Sequence, residues 1–264
     1  MSRIRENTVT RCSLVVTLVD VWTRKKPSAQ DIQVSLAEYS SPPIRKPDGS
    51  FLFLDLQLQT CHLKIVSNIY MPQLIPIELH KLDPLSPVIV IPLLPSSSYS
   101  NPPGSTGIKF RLINSYGDPL PQALIQAYAS EDSAYRGRIS QETTSSDNQT
   151  LKIGSLQGKI FAGEVFLLRD KSKEEFIRIA AVTADDRVRL EQPITSIYNR
   201  GAVVLPAVMT YSARDGTVIL PFRGMLPPLF EVRVNVTSVQ SSVSESWTVR
   251  AGELLVVPEL IIPE

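Results

Sequence analysis

The chain writes one pattern of strands and turns twice. In the first half, Leu18-Val19-Asp20-Val21 is followed by a turn, then by Ile32-Gln33-Val34-Ser35-Leu36, then by Lys46-Pro47-Asp48-Gly49-Ser50-Phe51. In the second half, Leu112-Ile113-Asn114-Ser115 is followed by Gly117-Asp118-Pro119-Leu120-Pro121, by Ala123-Leu124-Ile125-Gln126-Ala127, and later by Ala213-Arg214-Asp215-Gly216-Thr217-Val218. Each copy closes on an apolar stretch punctuated by proline: Val88-Ile89-Val90-Ile91-Pro92-Leu93-Leu94-Pro95 and Leu254-Leu255-Val256-Val257-Pro258. Apolar residues recur at every second position over short runs, the period of a strand with one buried face. No run sustains a helical period. The expected fold is therefore all-β: two tandem β-sandwiches of immunoglobulin-like or transthyretin-like type.

The two copies are not the same length. Asp20 aligns with Asn114, an offset of 94, whereas Asp48 aligns with Asp215, an offset of 167; the difference is 73 residues. That extra segment has strand patterns of its own, at Glu164–Leu168, Glu175–Val182, Arg187–Leu190 and Val203–Leu205, separated by charged turns that include Asp185-Asp186. Short strands with tight turns predict a small β-barrel inserted into the second sandwich. The expected layout is an N-terminal arm at 1–10, a first sandwich at 11–95, a Ser/Pro-rich linker at 96–106, a second sandwich at 107–134 and 208–264, and the inserted barrel at 135–207.

Charge excludes some partners. Lys+Arg is 27 and Asp+Glu is 26, so no excess of basic charge is available to grip nucleic acid or an anionic membrane. The apolar run from Cys12 is broken at Asp20, too short to span a bilayer and without a cleavage site after it. Synthesis in the cytosol is expected, and a place in a particle that later leaves the cell is compatible with it. Cys12 and Cys61 both alternate in phase with apolar neighbours, which predicts buried free thiols; a disulfide is the competing reading.

Motifs for chemistry are scarce. His62 falls on the strand face opposite Cys61 and Leu63, His80 stands alone, and no Gly-x-Ser-x-Gly elbow occurs. Asp48-Gly49 and Asp215-Gly216 lack the further carboxylates of a calcium loop and read as hairpin turns. No catalytic residue, metal or cofactor is expected, and the chain is read as a non-enzyme.

The candidate functional residues are instead protein contacts. Phe51-Leu52-Phe53-Leu54 is apolar on both alternating faces, so Phe51 and Phe53 are candidates for covering by another domain or subunit. Ile89 and Ile91, and Leu255 and Val257, on the closing strands make the same demand. Arg24, Lys25 and Lys26 form a short basic run, read either as a solvated hairpin tip or as a contact for an acidic partner; Arg136-Gly137-Arg138 is read the same way. Trp22 and Trp247 are expected at core edges, with an exposed aromatic ledge for sugars as the alternative.

The opening strands, the Gly-Asp-Pro-Leu-Pro-Gln-Ala turn at 117–123, the Asp-Gly hairpins and the closing apolar strands resemble the carboxypeptidase regulatory-like, or transthyretin-like, β-sandwich. In the insert, Glu174–Val182, Val188-Arg189-Leu190, Gln192-Pro193-Ile194 and Tyr198–Val204 are similar to segments of phage-tail and contractile-injection-system proteins. These resemblances imply a structural subunit of a large multi-protein particle, in a cap, collar or baseplate-peripheral position, with other protein subunits as partners and a homo-oligomeric ring as one arrangement. The alternative is a surface adhesin or a carbohydrate- or protein-binding sandwich module.

Overall fold

Alternation along Cys12–Asp20 builds the first strand, and its inward residues Leu14, Val16 and Leu18 are buried. The computed structural model describes residues 10–27, 32–144, 146–183, 187–238 and 241–263. Residues 1–9 of the expected arm and the Asp185-Asp186 turn lie outside the described residues. The chain divides into two units, one of residues 1–20 and 25–93, the other of 21–24 and 94–264.

The first unit contains β1 (Cys12–Asp20), β2 (Ile32–Leu36), β3 (Ile44–Arg45), β4 (Phe51–Leu54), β5 (Thr60–Ser67), β6 (Gln73–Glu78) and β7 (Val88–Leu93). One sheet has the order β3-β4-β1-β7 and the other β2-β5-β6. β1 runs antiparallel to β4, with Val16 opposite Phe51, and parallel to β7, with Leu18 opposite Ile91. β4 stops at Leu54 because Asp55 takes a left-handed conformation (φ 51°). His80 leaves the strand for a short 3-10 turn, Leu79–Lys81.

The second unit contains β8 (Thr106–Asn114), β9 (Leu124–Ala129), β10 (Gly137–Ile139), β11 (Thr150–Gly154), β12 (Val165–Asp170), β13 (Lys173–Val182), β14 (Arg187–Leu190), β15 (Val203–Tyr211), β16 (Thr217–Phe222), β17 (Leu229–Thr237), β18 (Ser242–Arg250), β19 (Leu254–Val256) and β20 (Leu260–Ile262). The topology of the first unit returns here. β8 is antiparallel to β16 and parallel to β19 and β20, as β1 is to β4 and β7. β9-β17-β18 repeats β2-β5-β6. The expected all-β sandwich fold is what the chain forms.

Between β9 and β16, the strands equivalent to β2 and β4, lie β10 to β15. They close a ring, β10-β11-β14-β13-β12-β15 and back to β10, antiparallel at every step. Closure removes the sheet edges, which open small sheets expose. Ile153, Phe166, Ile177, Leu190, Tyr198 and Val204 are among its buried core residues. The ring has six strands. The sequence pattern marked only four of them; β10 has three residues, too few to show alternation, and β11 (Thr150–Gly154) was missed although it alternates. β15 also pairs with β9, so barrel and sandwich share one continuous sheet. The sandwich core is built from Ile108, Phe110, Leu112, Ile125, Leu220, Phe230 and their neighbours.

Candidate functional site

The residues singled out as protein contacts divide by strand parity. Phe51, Phe53 and Ile91 are buried inside the first sandwich, so their side chains are already covered within the chain. Alternation sends Leu52 and Leu54 outward, where they are half-buried; Ile89 has the inward phase of Ile91 but is only half-buried near the start of β7, and Val88 is exposed. Leu255 and Val257 pack on the core of the second sandwich, while Val256 between them is exposed. An apolar run on both faces thus fills one face from within and leaves its alternate residues outward.

The basic run does not form one solvated tip. Arg24 has a left-handed backbone (φ 60°) and turns its guanidinium onto Glu164 at 2.6 Å, with both side chains about nine-tenths buried. The same guanidinium lies over the Phe161 ring, 5.5 Å from its centre. Lys26 donates to the Asp48 carbonyl at 2.6 Å, and Lys25 is exposed. Arg136 also departs from a loop-tip reading: it is 3% exposed.

Trp22 is buried and stacks on Tyr99, with ring centres 5.9 Å apart. Trp247 packs against Phe110 at 5.2 Å. The Tyr39 hydroxyl accepts from the backbone of Gln57 and Leu58. None of these three rings forms an exposed ledge. Asp48 and Asp215 each use Oδ1 to accept the N–H two residues on, from Ser50 and Thr217, which is the self-capping that sets a hairpin turn.

His62 does meet a carboxylate. Its Nδ1 lies 2.5 Å from Glu38 Oε1, and its backbone N–H donates to Glu38 Oε2 at 2.9 Å. The backbone hydrogen bond from His62 is the main influence holding the Glu38 carboxyl below its ordinary range. The pair sits on the outer face of β5, with His62 about half exposed, away from the cleft lined by Arg136 and the one lined by Thr143. The pair is a hydrogen-bonded contact at the surface.

Beneath it, Cys61 is fully buried and free, and Cys12 is half-buried and free. Burial first, then the Glu38 charge, pushes the Cys61 thiol from 9.0 up to about 11. A raised thiol stabilises the fold while neutral, so this contribution is present below pH 9 and lost as pH climbs toward 11. At pH 8 the thiolate fraction is roughly a hundredfold below that of an ordinary thiol. Iodoacetamide at pH 8 should therefore label Cys12 in the native protein and spare Cys61 until urea is added. Peptide mass spectrometry reads both sites, and rapid native labelling of Cys61 would contradict the burial.

The most concentrated polar arrangement lies in the second unit. A cleft of about 60 Å³ is lined by Arg24, Arg136, Arg178, Arg223 and Glu164, with Val208 and Phe222 in its apolar wall. Arg136 Nη2 donates to the Lys159 carbonyl at 2.8 Å and Nη1 to the Arg223 carbonyl at 3.5 Å. Arg178 is held by Glu191 at 3.1 Å. Burial, opposed by Glu164 and reinforced by Arg24, lowers the Arg136 guanidinium from its ordinary value. The chain makes room for this side chain: a Cβ at Gly224 (φ +98°) would sit 1.3 Å from Arg136 Nη1.

Two surface features complete the picture. β18 pairs with β17 along all nine residues, and among the described residues it has no strand on its other side. Glu245 shares the inward phase of Val243 and Trp247 yet is exposed, a charge placed where an edge strand would otherwise be apolar. No family model matches the chain, and no curated protein matches it. Solved structures resemble it distantly. The shaft pilin SpaA of Lactobacillus rhamnosus GG is 9% identical, with a TM-score of 0.26 over 97% of this chain and 98% of that one. A streptococcal ancillary pilin is 9% identical at a TM-score of 0.24, covering 96% of this chain and 62% of that one. BcpA, the major pilin subunit of Bacillus cereus, is 9% identical at 0.25, over 95% and 70%. Likeness at these scores carries no argument about function or assembly; the fold stands on the strand pairings described above.

Proposed function

We propose that this chain is a non-enzymatic structural subunit of a multi-protein assembly, joined to its neighbours through sheet edges. The observation that carries the reading is β18, a nine-residue strand that among the described residues is paired on one side only. An open edge presents a row of backbone donors and acceptors, and a strand from another chain can complete it. Exposed apolar residues beside the sandwich strands, such as Val256 and Ile261, add area that a neighbour can cover. By the sequence resemblance, the assembly is a phage-tail-like contractile particle and the position is cap, collar or baseplate periphery. The protein-binding form of the alternative uses the same edge; the sugar-binding form lacks the aromatic ledge it needs at Trp22, Tyr39 and Trp247.

The test is purification at native expression level, followed by sedimentation and identification of companions. The chain should travel in large particles with fixed protein partners; sheath and tube proteins among them support the contractile particle, and unrelated surface proteins support the binding module. Single prolines at Glu245 and Ser246 then probe the edge. In an antiparallel ladder adjacent residues point their N–H to opposite sides, so one of the two removes an outward donor and spares the β17 ladder. That variant should keep its fold and lose its companions. A stable monomer that never enters a large particle would sink the proposal.

A further inference from the structure

We infer that the arginine-lined cleft of the second unit binds a small oxyanion, a carboxylate or phosphate group held by Arg136 and Arg24. The inference is independent of the assembly reading. Of the four arginines on this cleft, Arg24 is paired with Glu164 and Arg178 with Glu191. Arg136 is left with backbone carbonyls alone, and among the described residues no carboxylate lies within ion-pair distance of it. Its Nε–H has no hydrogen-bond partner, and neither does that of Arg24, although both are buried.

Glu164 acts on Arg136 only at longer range; a buried guanidinium with no carboxylate in contact is costly, and a donor left unpaired adds to that cost. Chains do not normally retain such a group unless something compensates it. The planar fork of an arginine matches the two oxygens of a carboxylate or phosphate. A space of about 60 Å³ exceeds what one water needs and suits one such group. The glycine at 224 keeps the Arg136 fork in place, because any side chain there would occupy the guanidinium's position. Apolar residues of the wall, including Val208 and Phe222, lower the local polarity and strengthen the attraction.

The experiment titrates the full-length protein with inorganic phosphate and, separately, with succinate, at constant ionic strength set by chloride. The readout is the Nε–H resonance of Arg136 in an arginine-selective NMR spectrum, which needs no variant. A saturable shift with phosphate or succinate, and none with chloride, is the expected result. A response to succinate alone assigns a carboxylate ligand, and a response to phosphate alone assigns a phosphate. Arg136→Lys, which keeps the charge and loses the fork, should weaken binding at least about tenfold. Absence of any shift up to tens of millimolar, or an equal shift with chloride, overturns the inference. So does undiminished binding by a folded Arg136→Lys protein.

Discussion

Replacing Tyr198 by alanine is expected to cost about 3–5 kcal/mol, the range for removing a large ring from a packed interior. Tyr198 is the largest fully buried side chain of the barrel core. Its ring lies among core residues drawn from every part of the ring of strands, so no single neighbour can collapse into the space it leaves. The hydroxyl donates to Glu175 Oε2 at 3.3 Å, and the backbone N–H donates to Thr143 Oγ1 at 2.7 Å. Tyr198→Phe keeps the ring and loses only the hydroxyl contact, about 1 kcal/mol. The two variants differ in pH dependence as well as in size. Burial, with Glu175 next, raises the tyrosine's pKa above its ordinary value of 10.0. The neutral form is therefore the one the fold stabilises. That contribution is complete below pH 10 and is lost above it. Urea unfolding at pH 8 and pH 11 should show a shallower alkaline decline in Tyr198→Phe than in the parent. Hydrogen exchange should place the loss in Tyr198→Ala on β10 to β15, with part of it transmitted along β15 into the sandwich. A change of less than 1 kcal/mol in the alanine variant would mean the barrel is not packed as described.

Gly216→Ala carries the second large effect, on the order of 3 kcal/mol. Gly216 adopts φ +79°, a left-handed conformation that costs an alanine about 1–2 kcal/mol by itself. The neighbourhood adds to this. An alanine Cβ would stand 2.4 Å from the Leu112 carbonyl oxygen and 3.2 Å from the Pro119 side chain. Relief is difficult because the first obstacle is backbone. The Gly216 carbonyl accepts the Leu112 N–H at 2.8 Å, and its own N–H donates to Ala213 at 2.9 Å. Moving the turn therefore disturbs β8, the strand on which β16, β19 and β20 all depend. Thermal unfolding should show a lowered midpoint, and a Gly216→Asn variant, whose residue tolerates positive φ better, should lose less of the backbone share. Equal losses for alanine and asparagine would point to the close approach to Leu112, not the dihedral, as the dominant cause.

Much of this fold was legible from periodicity. Cys61, Leu63 and Ile65 point inward and His62 outward, as their alternation requires. The positions of β12, β13, β14 and β15 follow from apolar runs bounded by charged turns, and Asp48-Gly49 turns the chain between the paired β3 and β4, whereas Asp215-Gly216 makes a tight turn from β15 to β16, which lie in different sheets. The candidate contacts were harder. Phe51 and Phe53 were marked because their strand is apolar on both faces, yet parity alone could not say which face the chain covers itself. The cleft was hidden for a different reason. Arg24 stands in a basic run and Arg136 beside Arg138, patterns that ordinarily mean a solvated surface.

The sequence by itself determined the all-β class, most of the strands and, where only one face is apolar, which face turns inward, because a side-chain period of two is a local property of extended backbone. Only the tertiary structure decided that six of the strands close a ring, that β15 belongs to both barrel and sandwich, and that Arg136 lies buried against Gly224. Those outcomes depend on which distant backbone segments meet. The carbonyls of Lys159 and Arg223 that receive the Arg136 guanidinium leave no mark on the pattern around residue 136.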